Sequence, residues 1–328
     1  MNPIIATKNQ AMSILIAAPG RNPDPWIRAL KQADPKIKVV TLDQPGNKEA
    51  VRLALAWDHP EGIFSGFPKL GCISSMGAGV DHLVTDTTIP EHIEMVRIID
   101  PTLSQDLFEF ALAIIMGENR TLDQFKENQA KGLWKKKRYA RIKDTSVGIL
   151  GTGIIGNHVA TQLAGLGFRV CGWGRTGPSG TTGEKGHPLP YKRYFGQNQL
   201  GLFLQSAGIL ICLLPLTEET RGILNRKHLS QLPRGASLIN LGRGAHLVDE
   251  DLVELLDSGH LSGASLDVFS PEPLPAGHPF WGHSKIRITP HIASLTDPES
   301  VAPQIIENHR RLLQGKPLLH RVNRQRGY

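Results

Sequence analysis

Three ionisable side chains stand after short apolar runs in the second half of the chain, and together they could reduce a carbonyl group. They are Arg243 after the run Ser237–Leu241, Glu272 after Gly263–Val268, and His291 after Ile286–Ile288. A guanidinium can bind a carboxylate through two hydrogen bonds, and an imidazole can give a proton to a developing alkoxide near neutral pH. A carboxylate beside the imidazole favours its charged form and orients the ring. These are the groups that reduction of a 2-keto acid requires.

Each of these residues, taken alone, has a plainer interpretation. Arg243 could belong to a surface ion pair, Glu272 could be an exposed acid between two prolines, and His291 could be a hydrogen-bonded core residue. The predicted chemistry therefore depends on the three side chains meeting in space. Ligands of open α/β sheets bind outside the carboxyl ends of the strands, which is where all three residues stand.

A glycine-rich segment predicts a binding site for a dinucleotide. Its six residues match G-x-G-x-x-G and are Gly151, Thr152, Gly153, Ile154, Ile155 and Gly156. The segment follows the apolar run Ser146–Leu150 and opens a helical pattern, which is the context that such a motif needs. The glycines allow a tight turn, close approach of a pyrophosphate, and close packing of the helix on the strand. The free N–H groups of the helix N-terminus then face the phosphates, although a glycine-rich turn without a ligand is the alternative.

The end of the next predicted strand favours NADP(H) over NAD(H). An NAD site usually has an acidic residue about 20 residues after the glycines, where it binds the ribose 2′-hydroxyl. Here the strand Arg169–Trp173 is followed by Arg175 and Thr176, with no acid. A cation and a hydroxyl suit a 2′-phosphate. NAD(H) remains an alternative, as does an exposed surface role for Arg175.

Apolar β-rich runs alternate with helical patterns along most of the chain, which is typical of parallel sheets with crossover helices. Besides the segments already named, the pattern predicts strands at Ser13–Ala18, Lys38–Thr41, Leu53–Trp57, Gly71–Ser74, Met95–Ile99 and Gly208–Leu214, and helices at Trp26–Gln32, Leu103–Asn119 and Ile155–Leu166. Thr176–Gly186 reads as a loop, and residues 296–299 have helix-start chemistry. We predict an α/β protein of two Rossmann/flavodoxin-like domains. A dinucleotide-binding Rossmann domain (103–290) is inserted into a flavodoxin-like substrate-binding domain (1–102 plus 291–328).

Composition excludes several classes of function. The chain has 328 residues, a length that suits two domains. Its three cysteines are far apart and form no C-x-x-C pair, which argues against a metal site or a disulfide framework and fits a reducing cytoplasm. We expect no secretory signal and no membrane span, since no run of about 18 apolar residues occurs.

The net charge of +7 includes a basic run, in which six of the nine residues Lys135–Lys143 are Lys or Arg. The simplest interpretation is a solvated loop, and the second is attraction of an anionic substrate and cofactor. Nucleic-acid binding is the least favoured, because no reader motif accompanies the run.

Five motifs, in family order, make the chain resemble the D-2-hydroxyacid dehydrogenases. They are Gly151-x-Gly153-x-x-Gly156, Leu213-Leu214-Pro215-Leu216-Thr217-x-x-Thr220, Asn240-Leu241-Gly242-Arg243-Gly244, Leu266-Asp267-Val268-Phe269-x-x-Glu272-Pro273 and Thr289-Pro290-His291. Within the family the chain is most similar to the glyoxylate/hydroxypyruvate reductase A group. That similarity lies in Ala54-Leu55-Ala56-Trp57, Met76-Gly77-Ala78-Gly79-Val80-Asp81, Trp173-x-Arg175-Thr176 and Arg326-Gly327-Tyr328.

The resemblance implies a role for each matching position. Arg243 binds the substrate carboxylate and polarises its carbonyl, His291 donates the proton, and Glu272 is the partner of His291. The substrate carboxylate is also held by backbone N–H groups of Met76, Gly77, Ala78 and Gly79, while Trp57 and Trp134 wall the pocket. Besides the glycine loop, the implied cofactor-binding residues are Trp173, Arg175, Thr176, Leu214, Pro215, Thr220, Leu241, Gly242, Ala293 and Asp267, the last near the nicotinamide.

The resemblance further implies a homodimer that reduces glyoxylate, hydroxypyruvate or a related 2-keto acid to a D-2-hydroxy acid with NADPH. The group often has another basic residue soon after the Arg-Thr pair. Here Gly177 follows that pair, and Lys185 comes later in a longer loop. Two other functions stay open: a dinucleotide-sensing protein of the corepressor kind, and an NAD-linked dehydrogenase working in the oxidative direction.

Overall fold

A computed structural model describes residues 12–175, 177 and 189–328. The chain divides into two compact units. The first unit comprises Met1–Asp100 and Thr296–Tyr328, and the second unit comprises Pro101–Leu295. The second unit thus starts two residues before the predicted boundary at 103 and ends five residues after the predicted boundary at 290. The predicted cofactor residue Thr176, Lys185 and most of the predicted loop lie outside the described residues.

The described strands, in chain order, are β1 (Ser13–Ala17), β2 (Lys38–Thr41), β3 (Val51–Ala56), β4 (Cys72–Ser75), β5 (Glu94–Val96), β6 (Ser146–Leu150), β7 (Arg169–Gly174), β8 (Lys192–Phe195), β9 (Ile209–Cys212), β10 (Ala236–Asn240), β11 (Leu261–Leu266) and β12 (Ile286–Ile288). The α-helices are α1 (Asp24–Ala33), α2 (Asp81–Val84), α3 (Pro101–Asn119), α4 (Leu122–Ala130), α5 (Ile154–Gly165), α6 (Gly196–Leu204), α7 (Arg226–Leu229), α8 (Asp249–Asp257) and α9 (Pro298–Leu313). Short 3₁₀ helices occupy Lys48–Ala50, Ile63–Gly66, Ile142–Asp144, Gly244–His246 and Pro279–Gly282.

Within the described part of the first unit, five parallel strands form a sheet in the order β2-β1-β3-β4-β5. This is the flavodoxin-like order, in which the order of successive strands changes direction between β1 and β3. All five residues of β1 are buried, as expected for a parallel strand that is covered on both faces. Helix α9 packs on α1. It begins as its sequence predicts, because the Asp297 side chain accepts a hydrogen bond from the Glu299 N–H (3.1 Å).

In the described residues of the second unit, seven parallel strands form a sheet in the order β12-β11-β10-β9-β6-β7-β8. This is the Rossmann order with one additional strand. The order of successive strands changes direction between β6 and β9, so the crevice at their carboxyl ends is the expected ligand site. Every residue of β9 and β10 is buried, and each fully buried Leu or Ile contributes about 1.5–3 kcal/mol relative to an exposed one. The predicted α/β fold of two parallel-sheet domains is confirmed.

Several elements of the second unit were not predicted from the sequence, among them β8, α6 and α4. Strand β8 is short and lies at the edge of the sheet, and its mixed charged and aromatic residues show no clear alternation. Helix α6 begins at a glycine with positive φ, Gly196, and has no side-chain cap. Helix α4 buries none of its residues, so it has no apolar face against the rest of its unit.

In the ranges that the structure describes, no helix is long and apolar enough to cross a membrane. The same ranges contain no cluster of three or more His, Cys, Asp or Glu side chains arranged to hold a metal ion.

Candidate active site

Arg243 lies at the carboxyl end of β10, at the start of the 3₁₀ turn Gly244–His246. Its backbone is fixed from two sides. The Arg243 N–H donates to Nδ1 of His246 (3.1 Å), and the Arg243 carbonyl accepts from the Asn240 amide (3.1 Å). His246 and Asn240 are fully buried. The backbone that carries the guanidinium is therefore rigid, independently of any ligand.

Glu272 and His291 are in direct contact, as the sequence predicted. Oε2 of Glu272 lies 2.8 Å from Nδ1 of His291. The other carboxylate oxygen accepts from the backbone N–H of Phe269 (2.9 Å). Both side chains keep about a third of their surface exposed, 34% for His291 and 37% for Glu272. The pair is therefore accessible to a ligand.

Arg243 is close enough to Glu272 for its charge to act on that carboxyl group. Burial alone would raise the pKa of Glu272. The hydrogen bonds from His291 and from the Phe269 N–H, together with the positive charges of His291 and Arg243, outweigh burial, and the pKa of Glu272 lies below its usual value. The loops that carry the groups also touch, because a Cβ at Gly244 would collide with the backbone of Phe269. The guanidinium, carboxylate and imidazole thus belong to one cluster.

Asp267 holds the segment that presents His291. It is buried, and its carboxylate accepts hydrogen bonds from the Thr289 hydroxyl (2.6 Å) and from the backbone N–H groups of Ile292 (3.0 Å) and Ala293 (2.9 Å). The Asp267 carbonyl also accepts from the His291 N–H (2.8 Å). His291 has a φ of 55°, a left-handed conformation that costs a non-glycine residue about 1–3 kcal/mol. These hydrogen bonds hold that backbone in place, a role that the sequence did not reveal.

The glycine loop has the shape of a phosphate site. Gly151 has a φ of 110°, and a Cβ there would lie 2.8 Å from the backbone of Leu213, so the loops after β6 and β9 touch. A Cβ at Gly156 would collide with the Gly151 carbonyl, whereas a Cβ at Gly153 would have no atom within 4 Å. The first and third glycines are therefore required by the fold, and the second faces open space that a pyrophosphate could occupy.

The first turn of α5 adds to this fit. Gly153 is the N-cap residue and provides no side-chain cap to the helix. The N-terminal N–H groups of a helix attract an anion when no side chain satisfies them. Ile154, the first helical residue, exposes 47% of its surface. Thr152 and Ile155 complete the loop, and the residues present fit a bound dinucleotide.

Arg175 follows β7 as predicted, but it already has an acidic partner. Its Nη1 lies 2.6 Å from Oε2 of Glu219, on the loop after β9. The exposed fractions are 31% for the arginine side chain and 63% for the glutamate. The sequence did not indicate this ion pair, because the two residues are 44 positions apart.

The other predicted cofactor positions lie near the carboxyl ends of the strands, but their side chains are largely engaged in the fold. The Thr220 hydroxyl donates to the Pro215 carbonyl (2.7 Å) and closes the turn that follows Leu214. Trp173 is buried, and its indole N–H donates to the Gly196 carbonyl (2.9 Å). Leu241, Gly242 and Ala293 are buried as well. A role of these residues in binding stays a prediction.

The predicted substrate-binding backbone lies in the first unit, in the turn after β4. Two of its four N–H groups are already bonded, that of Met76 to the Ala56 carbonyl (3.1 Å) and that of Gly77 to the Ser75 hydroxyl (3.2 Å). The Trp57 ring packs so close to this turn that a Cβ at Gly77 would lie 2.9 Å from it. Ala78 and Gly79 therefore carry the amides that remain predicted to bind a carboxylate.

Trp134, predicted to wall the pocket, is 95% exposed. It belongs to an exposed apolar surface on and after α4, here called the α4 surface, which consists of Leu122, Phe125, Leu133, Trp134 and Tyr139. Several large apolar side chains exposed in one short segment can mark a site of interaction.

The family model for the NAD-binding domain of D-isomer specific 2-hydroxyacid dehydrogenases matches residues 112–293. The chain is 36% identical over 302 residues to a glyoxylate/hydroxypyruvate reductase A of Serratia proteamaculans, covering 90% of this chain and 94% of that one.

Solved structures agree with this result. A D-isomer specific 2-hydroxyacid dehydrogenase from Xanthobacter autotrophicus Py2, in complex with NADPH and MES, has a TM-score of 0.90 and 36% identity, covering 97% of this chain and 100% of that one. An NADPH-dependent glyoxylate/hydroxypyruvate reductase from Sinorhizobium meliloti, in complex with NADP and sulfate, has a TM-score of 0.88 and 32% identity, with coverage of 97% and 100%. Both structures match the whole two-domain fold.

Proposed function

The chain belongs to the D-isomer specific 2-hydroxyacid dehydrogenase family, and from that premise we propose that it reduces small 2-keto acids such as glyoxylate and hydroxypyruvate with NADPH. One observation of the structure carries the proposal. The His291–Glu272 pair, 2.8 Å apart, stands beside Arg243 at the carboxyl ends of the strands in a unit that also contains the glycine loop. Relatives with this name and structures with bound NADPH support the substrate class and the cofactor.

The residues have distinct parts in the proposed reaction. Bound NADPH supplies a hydride to C2 of the keto acid. Arg243 binds the substrate carboxylate and draws electron density onto the carbonyl oxygen. As that oxygen gains negative charge, protonated His291 donates its Nε2 proton to it, and the product is a 2-hydroxy acid, of D configuration where C2 is chiral. Glu272 holds Nδ1 of the imidazole and stabilises its charged form.

A substrate panel with both cofactors tests the proposal. We expect the purified protein, at catalytic concentration, to oxidise NADPH when glyoxylate or hydroxypyruvate is added. No turnover with several 2-keto acids, together with tight NADPH binding, would favour the dinucleotide-sensing alternative. A lower Michaelis constant for NADH than for NADPH would favour the NAD-linked dehydrogenase.

The Arg175–Glu219 ion pair leads to a prediction about cofactor affinity. A 2′-phosphate that binds Arg175 must compete with the Glu219 carboxylate, so Glu219→Gln is expected to tighten NADPH binding. An exposed ion pair is worth about 0.2–1 kcal/mol, and the Kd for NADPH should therefore fall by about 1.5- to 5-fold. The Kd for NADH, which lacks the phosphate, should stay the same. Isothermal titration calorimetry measures both.

Glu218→Gln is the matched control for this experiment. Glu218 is the neighbouring residue and lies 4.0 Å from Arg221 rather than from Arg175. It should change neither Kd. An unchanged ratio of the two dissociation constants in Glu219→Gln would show that Arg175 does not bind the 2′-phosphate.

We also propose that the protein is a homodimer and that a second copy covers the α4 surface. Helix α4 buries no residue within its own chain, and Trp134 is almost fully exposed. An amphipathic helix without a buried face is stabilised only weakly unless another surface packs on it. Such an interface would also bury Trp134, and a residue predicted to wall a substrate pocket is expected to be at least partly buried.

Light scattering after gel filtration checks the dimer. We expect twice the chain mass of 35.9 kDa for the wild type and a single chain mass for the double variant Phe125→Ser/Trp134→Ser. Trp281→Ser, which replaces a tryptophan outside the α4 surface that is 56% exposed, should stay dimeric. A monomeric wild type, or a dimeric double variant, would contradict the proposal.

The cytoplasm is the compartment that we propose. Cys72, Cys171 and Cys212 are buried and free. Burial raises the pKa of Cys171 to about 11 and that of Cys212 to about 12, so both stay protonated and unreactive near neutral pH. Unpaired thiols of this kind suit a reducing compartment.

A further inference from the structure

Arg193 is a second cation beside the glycine loop. It lies on the edge strand β8, and its Nη2 donates a hydrogen bond to the hydroxyl of Thr152, inside the loop (3.0 Å). Its guanidinium carbon lies 5.1 Å from the centre of the Phe195 ring. No signal in the sequence indicated this residue, because the strand itself was not predicted and Arg193 is 41 positions from Thr152.

The hydrogen-bonding capacity of Arg193 is only partly used. Its Nε is buried and has no hydrogen-bond partner. Over the ranges that the structure describes, no carboxylate lies within ion-pair distance of this guanidinium. A buried donor without an acceptor is costly, and a guanidinium presents a fork of donors that matches the oxygens of a phosphate. Among the described residues, no anion balances this guanidinium.

The register of the sheet places this cation near the expected position of the adenosine ribose. Gly172 pairs with Arg193 and Gly174 with Phe195, so the guanidinium lies next to the last residues of β7, and Arg175 follows directly. The ribose 2′-hydroxyl of a bound dinucleotide is recognised at this end of the second Rossmann strand. Thr152 links the same guanidinium to the glycine loop through its hydroxyl. The methyl group of Thr152 packs against Gly172, the residue that pairs with Arg193.

We propose that Arg193 binds the 2′-phosphate of NADP(H) and, with Arg175, determines the preference for NADP(H) over NAD(H). This inference rests on the proposed function and adds a specificity-determining residue to it. It also accounts for a difference between this sequence and the group it resembles, since no basic residue directly follows the Arg175–Thr176 pair. The second cation comes instead from the neighbouring strand.

Two nucleotides that differ only in the 2′-phosphate test the proposal by binding alone. Adenosine 2′,5′-bisphosphate and adenosine 5′-monophosphate are titrated into the full-length protein by calorimetry. Arg193→Met removes the charge but keeps an unbranched stem beside Phe195. It is expected to weaken binding of the bisphosphate by about tenfold or more, the effect of losing a charge-assisted hydrogen bond, and to change monophosphate binding by less than about twofold.

A matched control separates the loss of this particular charge from the loss of any arginine on these strands. Arg169→Met is the matched control, since Arg169 lies at the other end of β7 and donates to the Asp144 carbonyl (2.7 Å). Thermal melting of each variant confirms that it is folded.

An equal loss for both nucleotides in Arg193→Met would show that the residue only supports the loop and would overturn the inference. The inference is likewise overturned if Arg193→Met leaves the preference for the bisphosphate unchanged. These outcomes leave the proposed reductase intact. By contrast, a wild-type protein that binds neither the bisphosphate nor NADPH contradicts the proposed cofactor itself.

Discussion

Replacing Arg243 with alanine is expected to lower kcat/KM for glyoxylate by about 10²- to 10⁴-fold. In the proposed complex the guanidinium makes two charge-assisted hydrogen bonds, each worth about 1.5–3 kcal/mol, and 1.36 kcal/mol corresponds to a factor of ten in rate. One of them binds the carboxylate in both the ground state and the transition state, so its loss raises KM. The other strengthens as the carbonyl oxygen becomes an alkoxide, so its loss lowers kcat. Steady-state kinetics at saturating NADPH measures both parameters.

This loss should not come from unfolding. The backbone of Arg243 is held by hydrogen bonds to His246 and Asn240, both fully buried, and neither bond involves the guanidinium. We therefore expect the Kd for NADPH to change by less than about twofold, as is usual when a substituted residue does not contact the ligand. A large rise in this Kd would show that Arg243 supports the nucleotide site instead.

Arg243→Lys tests the geometry of the proposed contact. Lysine keeps the charge but lacks the rigid fork of donors that can bond the carboxylate and the carbonyl oxygen together, so its kcat/KM should fall between the values for wild type and Arg243→Ala. Arg226→Ala is the control, because Arg226 is an exposed arginine that pairs with Asp251 (3.7 Å) at the start of α7. Near wild-type kcat/KM in Arg243→Ala would reject the assigned role.

The sequence predicted those parts of the molecule that depend on local pattern. The segments Ser146–Leu150 and Ile286–Ile288 match β6 and β12 residue for residue. For β6 the reason is that a parallel strand buried on both faces reads as a continuous apolar segment. The glycine loop was also recognisable from the sequence, because each of its glycines meets a steric requirement and these requirements fix the spacing of the motif. The contact of Glu272 with His291 followed from the chemistry that both residues share.

Side-chain partners that lie far apart in the chain were not predicted. The contacts of Arg175 with Glu219 and of Arg193 with Thr152 depend on which loops and edge strands meet. The hydrophobic periodicity of the sequence contains no information about those meetings. The position of Asp267 near the nicotinamide stays a prediction; what the sequence did not predict is that its carboxylate is bonded to the segment that holds His291. Its sequence context gives no sign of this, because the accepting and donating groups are 22 to 26 residues apart.

Replacing His291 with alanine is expected to lower kcat for 2-keto acid reduction by about 10²- to 10⁴-fold, the range typical for loss of a general acid. The Kd for NADPH should stay the same, because the proposed role of the imidazole is toward the substrate oxygen. Glu272→Gln should have a smaller effect on kcat, since the proton donor remains. Its pH profile should nevertheless change, because the amide does not titrate as the Glu272 carboxyl group does.

The direction of that change follows from the pKa of Glu272. Burial would raise this pKa, but the hydrogen bonds from His291 and Phe269 and the nearby positive charges lower it. In the wild type the carboxylate therefore stays ionised through the neutral range, and its pairing with His291 is lost only as the pH falls through the lowered pKa. In Glu272→Gln this acidic limb should be absent from the kcat/KM profile, because the amide cannot take up the proton that the Glu272 carboxylate binds.

His278→Gln is the matched control for both variants. His278 forms a second histidine–acid pair in the same unit, with its Nε2 3.2 Å from Oδ2 of Asp249. That pair lies outside the cluster of Arg243, Glu272 and His291, and its loss should leave both kcat and the pH profile as they are in the wild type. A His291→Ala enzyme with wild-type kcat would show that another group or water donates the proton. If Glu272→Gln kept the same acidic limb as the wild type, titration of Glu272 would not affect catalysis, and the carboxylate would serve only to hold the loop.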